Sequence, residues 1–511
     1  MKSIPIAFIF VLALGGAPVY AVHTASVVDT SGWCQYTCRD FTVVSQRSEA
    51  DTAAWAANLN QFLHAMKGRL PEDPRLLGPL TMVLFSSASD FWASAPVLDN
   101  GNPMRDLANF VGSGGWGAMV ASSDRESDEL NQRFIFQGGV EWLLSADHRH
   151  IPHALRIGLK EVYGAYVIKN NREIFGQPPQ GYTSRLQRAT NHLLGNNDRF
   201  LKIEDLLSVK DMNLVSDRHG ESMFFVESWG FAHFLLFSKD MAKEHAMERL
   251  LDAFARHATP HDAMREAFGD GVDTINSRFY NYIRGGDFYE LGRPIEPAPL
   301  VGSPAPADPA FVASVLARLE VIAHHPDVAR SYAEQAIRMA PDDVRPREAL
   351  ALVDYSAGRH AEAAADCGEA IRLGTRDGWT WEENAEEIAG VAGLGDTAGI
   401  TPEKAREAIN ASEKAIICCK GLQRAYEFMA TLIPIANHVT PDDGKFLVFG
   451  RMLMPNDGWI EIGHAQWARR VHDQSLALAI IGDVLSRSAS LTPQEIERAR
   501  ILQREWTSGS G

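Results

Sequence analysis

The sequence contains no His-Glu-x-x-His among its 17 histidines, no glycine-rich loop leading into Lys-Ser or Lys-Thr, and no Gly-x-Ser-x-Gly. These absences remove the two-histidine zinc helix, the phosphate-cradling loop and the nucleophile elbow of the α/β-hydrolases. A basic excess is missing too: 49 Lys and Arg stand against 65 Asp and Glu, a formal charge of −16. Nucleic-acid surfaces are basic, so the charge balance argues against that class of partner. After residue 21 no apolar run reaches the roughly 20 residues that a bilayer span needs. Cysteine is scarce, with five in 511 residues.

The scarce residues have informative positions. Lys2, the apolar run Pro5 to Leu14 and the small-residue site Val19-Tyr20-Ala21 have the layout of a secretory signal over residues 1–21. They predict an exported chain, periplasmic or secreted, with no membrane segment once the signal is cleaved. In an oxidising compartment Cys34 and Cys38 are a candidate disulfide. Cys367, Cys418 and Cys419 lie in apolar helical stretches and read as buried residues.

Proline divides the chain. The stretch from Arg293 to Pro306 holds prolines at 294, 297, 299, 304 and 306. It cannot continue a helix or fill a central strand, and it predicts a linker over 295–308. The predicted domains are therefore 22–294 and 309–506.

Behind the linker, Ala333 to Met339 and Cys367 to Leu373 align at an offset of 34 residues. That is the tetratricopeptide period. Small residues recur where paired helices must touch: Ala317, Ala329 and Ala336, then Ala351, Ala363 and Ala370. The pattern resembles tetratricopeptide repeats over about 310–377. Thr401-Pro402, Thr440-Pro441 and Thr492-Pro493 are further helix starts, a capping hydroxyl followed by Pro in the first turn. They extend an all-α solenoid of the kind that binds proteins or peptides.

Before the linker the pattern is mixed. Phe41–Ser45, Leu80–Phe85 and, more weakly, Gly117–Ala121 read as strands, with a helix over Asp51–Met66. After residue 130 the pattern is nearly all helical, so the expected class is α+β. The helices are framed by Phe134 to Leu144, Ile157 to Tyr163 and Phe224 to Leu236. Gly158, Leu159 and Glu161 in the second, and Ser228, Trp229 and Leu235 in the third, keep a recognisable spacing. This layout resembles the gluzincin-type, peptidase-MA-like metallopeptidases, in particular the bacterial, often secreted members with tetratricopeptide repeats behind the catalytic domain. The resemblance covers roughly residues 40–290. It implies a zincin-like fold, and Gly112 to Gly117 corresponds to the edge region before the active helix.

The same resemblance shows what has been lost. Two His at i and i+4 with a neighbouring Glu bind zinc and activate water, and a third ligand comes from the next helix. The resemblance places Gln137 at the first His, Gly138 at the base, Glu141 at the second His and Ile157 at the third ligand. Phe225 stands where relatives often have an assisting Tyr. An amide, a carboxylate and an alkyl group do not make a zinc site. The expectation is a pseudopeptidase without catalytic residues or cofactor, fused to a protein- or peptide-binding repeat domain. Two alternatives stay open. One is a metal-dependent hydrolase, with zinc held by a rebuilt site drawn from Glu141, His148, His150, His153 and Glu161. The other is a structural envelope protein.

Overall fold

The computed structural model describes residues 29–70, 76, 78–94, 108–113, 116–122, 128–145, 151–190, 200–209, 220–256, 259–269, 271–390, 397, 399–487 and 491–508. The predicted signal segment, residues 1–21, lies outside them. Among the described residues no helix is long and apolar enough to cross a membrane.

The front of the chain runs β1 (Cys34–Thr37), β2 (Phe41–Ser45), α1 (Glu49–Ala65), β3 (Leu80–Phe85), α2 (Ala88–Ala93), β4 (Ala108–Ser113) and β5 (Trp116–Ser122). Helices follow: α3 (Asp128–Leu144) and α4 (His153–Gly164), then the hairpin β6 (Val167–Lys169) and β7 (Arg172–Phe175). After these come α5 (Tyr182–Thr190), α6 (Ile203–Ser208), α7 (Gly220–Phe237), α8 (Lys239–Lys243), α9 (Ala246–Phe254), α10 (Pro260–Phe268) and α11 (Val272–Gly285). The chain then returns through β8 (Leu291–Pro294) and β9 (Ala305–Pro306).

The main sheet has strand order β4-β5-β3-β2-β1-β9. β2, β3 and β5 are parallel, and β1, β4 and β9 join antiparallel. Its side chains alternate between two cores, as the period of a strand requires. Phe41, Val43, Met82, Leu84 and Met119 face α1 and α3. Val44, Val83, Phe85, Trp116, Ala118 and Val120 face the other way. The second face shares one apolar cluster with the first helices of the rear part, α12 (Pro309–Ile322), α13 (Pro326–Met339) and α14 (Val344–Ser356), through Val312, Leu316, Tyr332 and Val353.

This packing corrects the linker expectation. Residues 295–308 run as a strap along the front part and not as a free spacer. Gln61 accepts from the backbone N–H of Ala298 at 2.9 Å and donates to the carbonyl of Glu296 at 2.9 Å. The Tyr36 hydroxyl donates to Gly302 O at 2.8 Å, and Ala307 N donates to Trp33 O at 2.8 Å. Proline excluded helix and central strand, but it left carbonyls free to accept and allowed the two-residue edge strand β9. A division into 22–294 and 309–506 therefore cuts through a shared core.

The disulfide expectation is corrected as well. Cys34 and Cys38 are free thiols. Both lie on one extended segment, with Cys34 opposite Ser45 and Cys38 N donating to Phe41 O. Four strand steps separate them by about 13 Å, whereas a disulfide needs Cα atoms within about 7 Å. Burial raises the Cys38 thiol to about 12.

A second sheet, β6-β7-β8, was not expected in the helical region. Its hairpin turns on Asn170 and Asn171, at φ 52° and 58°. Asn tolerates the left-handed region, and two such residues in succession suit a tight hairpin. Glu173 on β7 is fully buried and bound to Arg293 of β8 at 2.5 Å.

The rear part is an all-α solenoid. After α14 come α15 (His360–Arg372), α16 (Gly378–Ala389), α17 (Pro402–Cys418), α18 (Gln423–Leu432), α19 (Pro441–Leu453), α20 (Gly458–Arg470), α21 (Gln474–Ser486) and α22 (Pro493–Ser508). Ala317, Ala329, Ala336, Ala351, Ala363 and Ala370 are all buried. Thr401 and Thr440 cap α17 and α19, the latter in a reciprocal capping box with Asp443. Cys367 and Cys419 are buried, and Cys418 is half-buried.

Candidate functional site

The positions that the resemblance assigns to the metal lie on α3, α4 and α7, with α4 packed against each of the other two. Gln137 and Glu141 are one turn apart and share a face of α3. Gln137 is buried against α4, where a Cβ added to Gly164 would come 2.4 Å from Gln137 Cγ. The Gln137 amide nitrogen has no hydrogen-bond partner among the described residues. Gly139, on the opposite side, lets α1 approach, since a Cβ there would meet Phe62 at 2.8 Å. Phe62 stacks on Phe136 with ring centres 4.3 Å apart.

Glu141 is held by two cations of α4. Arg156 donates to Oε1 at 2.5 Å, and Lys160 Nζ lies 3.3 Å from Oε2. Burial opposes ionisation, but the two cations outweigh it and bring the carboxyl down to about 2. Glu161, one helical turn beyond Ile157, is buried and paired with Arg133 of α3. The α3–α4 seam thus carries three ion pairs, two with the carboxylate on α3 and one with it on α4.

Ile157 and Phe225 are buried in the same apolar cluster. Their neighbours Gly158 and Ser228 form the crossing of α4 and α7. A Cβ on Gly158 would lie 2.3 Å from Ser228 O and 2.6 Å from Ala232 Cβ. Trp229 and Ser228 are fully buried. The recognisable frame residues are therefore packing residues of this crossing.

This donor set does not fit zinc. The first position offers a neutral amide, the second a carboxylate already engaged by two cations, and the third a buried alkyl group. Three anionic or imidazole ligands around an open position are required. Of the alternative ligands, His148 and His150 lie outside the described residues. His153 opens α4 and stacks on Phe224, with ring centres 6.0 Å apart. Burial, then Lys160, pushes its imidazole down to about 4. Among the described residues no group of three or more His, Cys, Asp and Glu is placed to hold a metal ion.

The residues that sequence reasoning missed are the cations Arg133, Arg156 and Lys160. A signal for them exists: Arg133, Gln137 and Glu141 repeat every fourth residue along the part of α3 that is otherwise free of polar side chains, 133–144, and Arg156 and Lys160 do the same on the next helix.

No protein-family model matches the chain, and no curated protein matches it. Among solved structures it is similar to YrrB, described as a TPR protein with an unusual peptide-binding site. That match has 10% identity and a TM-score of 0.30, and covers 38% of this chain and 92% of that one. TTC0263, a thermophilic TPR protein of Thermus thermophilus, matches at 12% identity and a TM-score of 0.23, over 39% of this chain and 99% of that one. Yeast Tom70 matches at 14% identity and a TM-score of 0.27, over 75% of this chain and 74% of that one. Scores this low leave the repeat assignment to the 34-residue period, the helix pairs and the buried alanines.

Proposed function

We propose that this chain is an exported, non-catalytic pseudopeptidase whose helical repeats bind a protein or peptide. One observation carries the reading. Glu141, at the position of the second metal ligand, is neutralised by Arg156 and Lys160, while Ile157 fills the third position with a buried alkyl group. Protein cations stand where a metal's charge would be needed. The frame around them is kept for packing, and the solenoid is built onto the same sheet. A hydrolase that had rebuilt its site would leave its carboxylates free for metal, and Glu141 and Glu161 are both engaged by cations.

The test is elemental analysis and peptide hydrolysis on chain purified without chelator. The expected result is less than stoichiometric zinc and no turnover beyond a Glu141→Gln control. Stoichiometric metal that disappears in the Glu141→Gln variant overturns the reading.

A further inference from the structure

The apolar interior of the rear part is interrupted between α14 and α16. The core that begins behind the sheet ends with Ala349, Leu350 and Val353 of α14. A second core begins at Ala385 and Ala389 of α16 and runs through α17, α18 and α19 to Ile460 of α20. Between them lies one small cluster: Ala351 and Leu352 of α14, Cys367 of α15 and Trp379 of α16, with Tyr355 edge-on to Trp379 at 5.6 Å. The helices keep apart at the same place. α12 packs on α14 and α18 on α20, whereas α14 and α16 make no comparable approach. The step from α16 to α18 is equally open, but there α17 packs on both helices and the apolar core is continuous across all three.

Polar groups fill the interruption. Arg318 of α12 is buried and lies 3.3 Å from Glu348 of α14 and 3.5 Å from Asp377, the N-cap of α16. The Thr375 hydroxyl donates to Glu348 at 2.5 Å, and Asp377 accepts from the backbone N–H of Thr380 at 3.0 Å. The Arg318 guanidinium also lies over the ring of Trp116 in β5, 5.8 Å from its centre. One side chain thus ties the start of α16 to α14 and to the front sheet. Both ion pairs are longer than the about 2.8 Å of a strong charge-assisted bond, so either can tighten as the other lengthens. Interdigitated apolar side chains resist such sliding, because displacement opens voids and forfeits dispersion contacts. The chain between α15 and α16 passes through Gly374 at φ 89°, with nothing within 4 Å of where a Cβ would stand. A glycine free to turn in open space is a suitable pivot.

We propose that the α14–α16 seam is a hinge of the solenoid. The front sheet with α12, α13 and α14 forms one body, and α16 to α22 form an arm that tilts against it about Gly374. Arg318 follows the tilt, closing on Glu348 or on Asp377 as the two helices shift. In a repeat protein each unit contacts only its neighbours, so a change at one seam moves every later repeat together. The hinge rests on the packing of the solenoid and not on the state of the old metal positions.

Double electron–electron resonance on the full chain measures the tilt. One nitroxide pair spans the seam, at Arg338 of α13 and Lys414 of α17. A second lies within the arm, at Lys414 and Arg500 of α22. All three positions are exposed. The labels are attached through ketone-bearing residues, which leaves the five native thiols untouched. The seam-spanning distance distribution is expected to be broader than that of the arm pair, and equal widths overturn the proposal. Asp377→Asn gives the second readout. Asn still caps α16, but one of the two charges that share Arg318 is gone. The seam-spanning distribution is expected to shift while the arm pair stays in place. A variant that moves neither distribution, or both, overturns the proposal.

Discussion

Replacing Glu141 by Gln separates a structural carboxylate from a ligand carboxylate. Its pKa falls from 4.5 to about 2. At about 1.4 kcal/mol per unit, that shift is worth about 3 kcal/mol of folding free energy at neutral pH. Breaking a fully buried pair costs about 3–5 kcal/mol. Here Arg156 and Lys160 retain 25% and 15% exposure and regain some water. We therefore expect Glu141→Gln to destabilise the front core by about 2–3 kcal/mol. Urea unfolding followed by tryptophan fluorescence reports on this core, because Trp142 and Trp229 lie in it. Glu141 is depressed in the folded state, so its contribution is present above pH 4.5 and disappears as pH falls toward 2. The gap between wild type and variant must shrink on acidification. A neutral-pH loss under about 0.5 kcal/mol, or a gap that persists at low pH, refutes the clamp.

Four further outcomes are expected. Gly158→Ala drives a Cβ onto the Ser228 carbonyl and should cost about 3 kcal/mol, whereas Gly368→Ala, mid-helix with nothing within 4 Å, should gain about 1 kcal/mol; a urea midpoint that rises for the first or falls for the second contradicts that prediction. Arg293→Met removes the direct ion-pair partner of the fully buried Glu173, leaving it Gln61, Tyr166 and the field of Arg69, and should cost about 3 kcal/mol by urea unfolding. His233 sits between Tyr282 Oη at 2.7 Å and Gly176 O at 2.9 Å, and burial pushes it down to about 4. Its contribution is present above pH 6.5 and is lost as pH falls through about 4, so His233→Asn should flatten that part of the acid limb of stability. Alkylation in denaturant without reductant should label all five cysteines, and a mass gain after reduction would restore the Cys34–Cys38 bridge.

The legible parts of this fold are those whose signal is local and periodic. β2, β3 and β5 were readable because each is an apolar run with β-branched or small residues. The solenoid was readable because close helix contact needs small residues at fixed intervals, and Ala317, Ala336, Ala351 and Ala370 supply them. β6 and β7 escaped because Lys169, Arg172 and Glu173 hide the alternation. Yet the Asn170-Asn171 pair between them was a hairpin signal in plain view. The Cys34–Cys38 spacing misled because proximity in sequence is not proximity in an extended strand.

The linker expectation failed for a different reason, and the failure bears on function. Proline reports which regular structures a segment cannot form, not whether the segment is bound. The strap at 295–308 is bound through its carbonyls and one edge strand, and the helices behind it bury the sheet face that carries Phe85, Trp116 and Val120. None of those partners is close in sequence, so no window along the chain contains the contact. The physical consequence is that the front part has no complete second face without α12 and α13. Removing those helices would expose Val44, Val83 and Phe85 to water, together with Trp116. The first repeats therefore complete the apolar core behind the sheet, while their later helices extend beyond it.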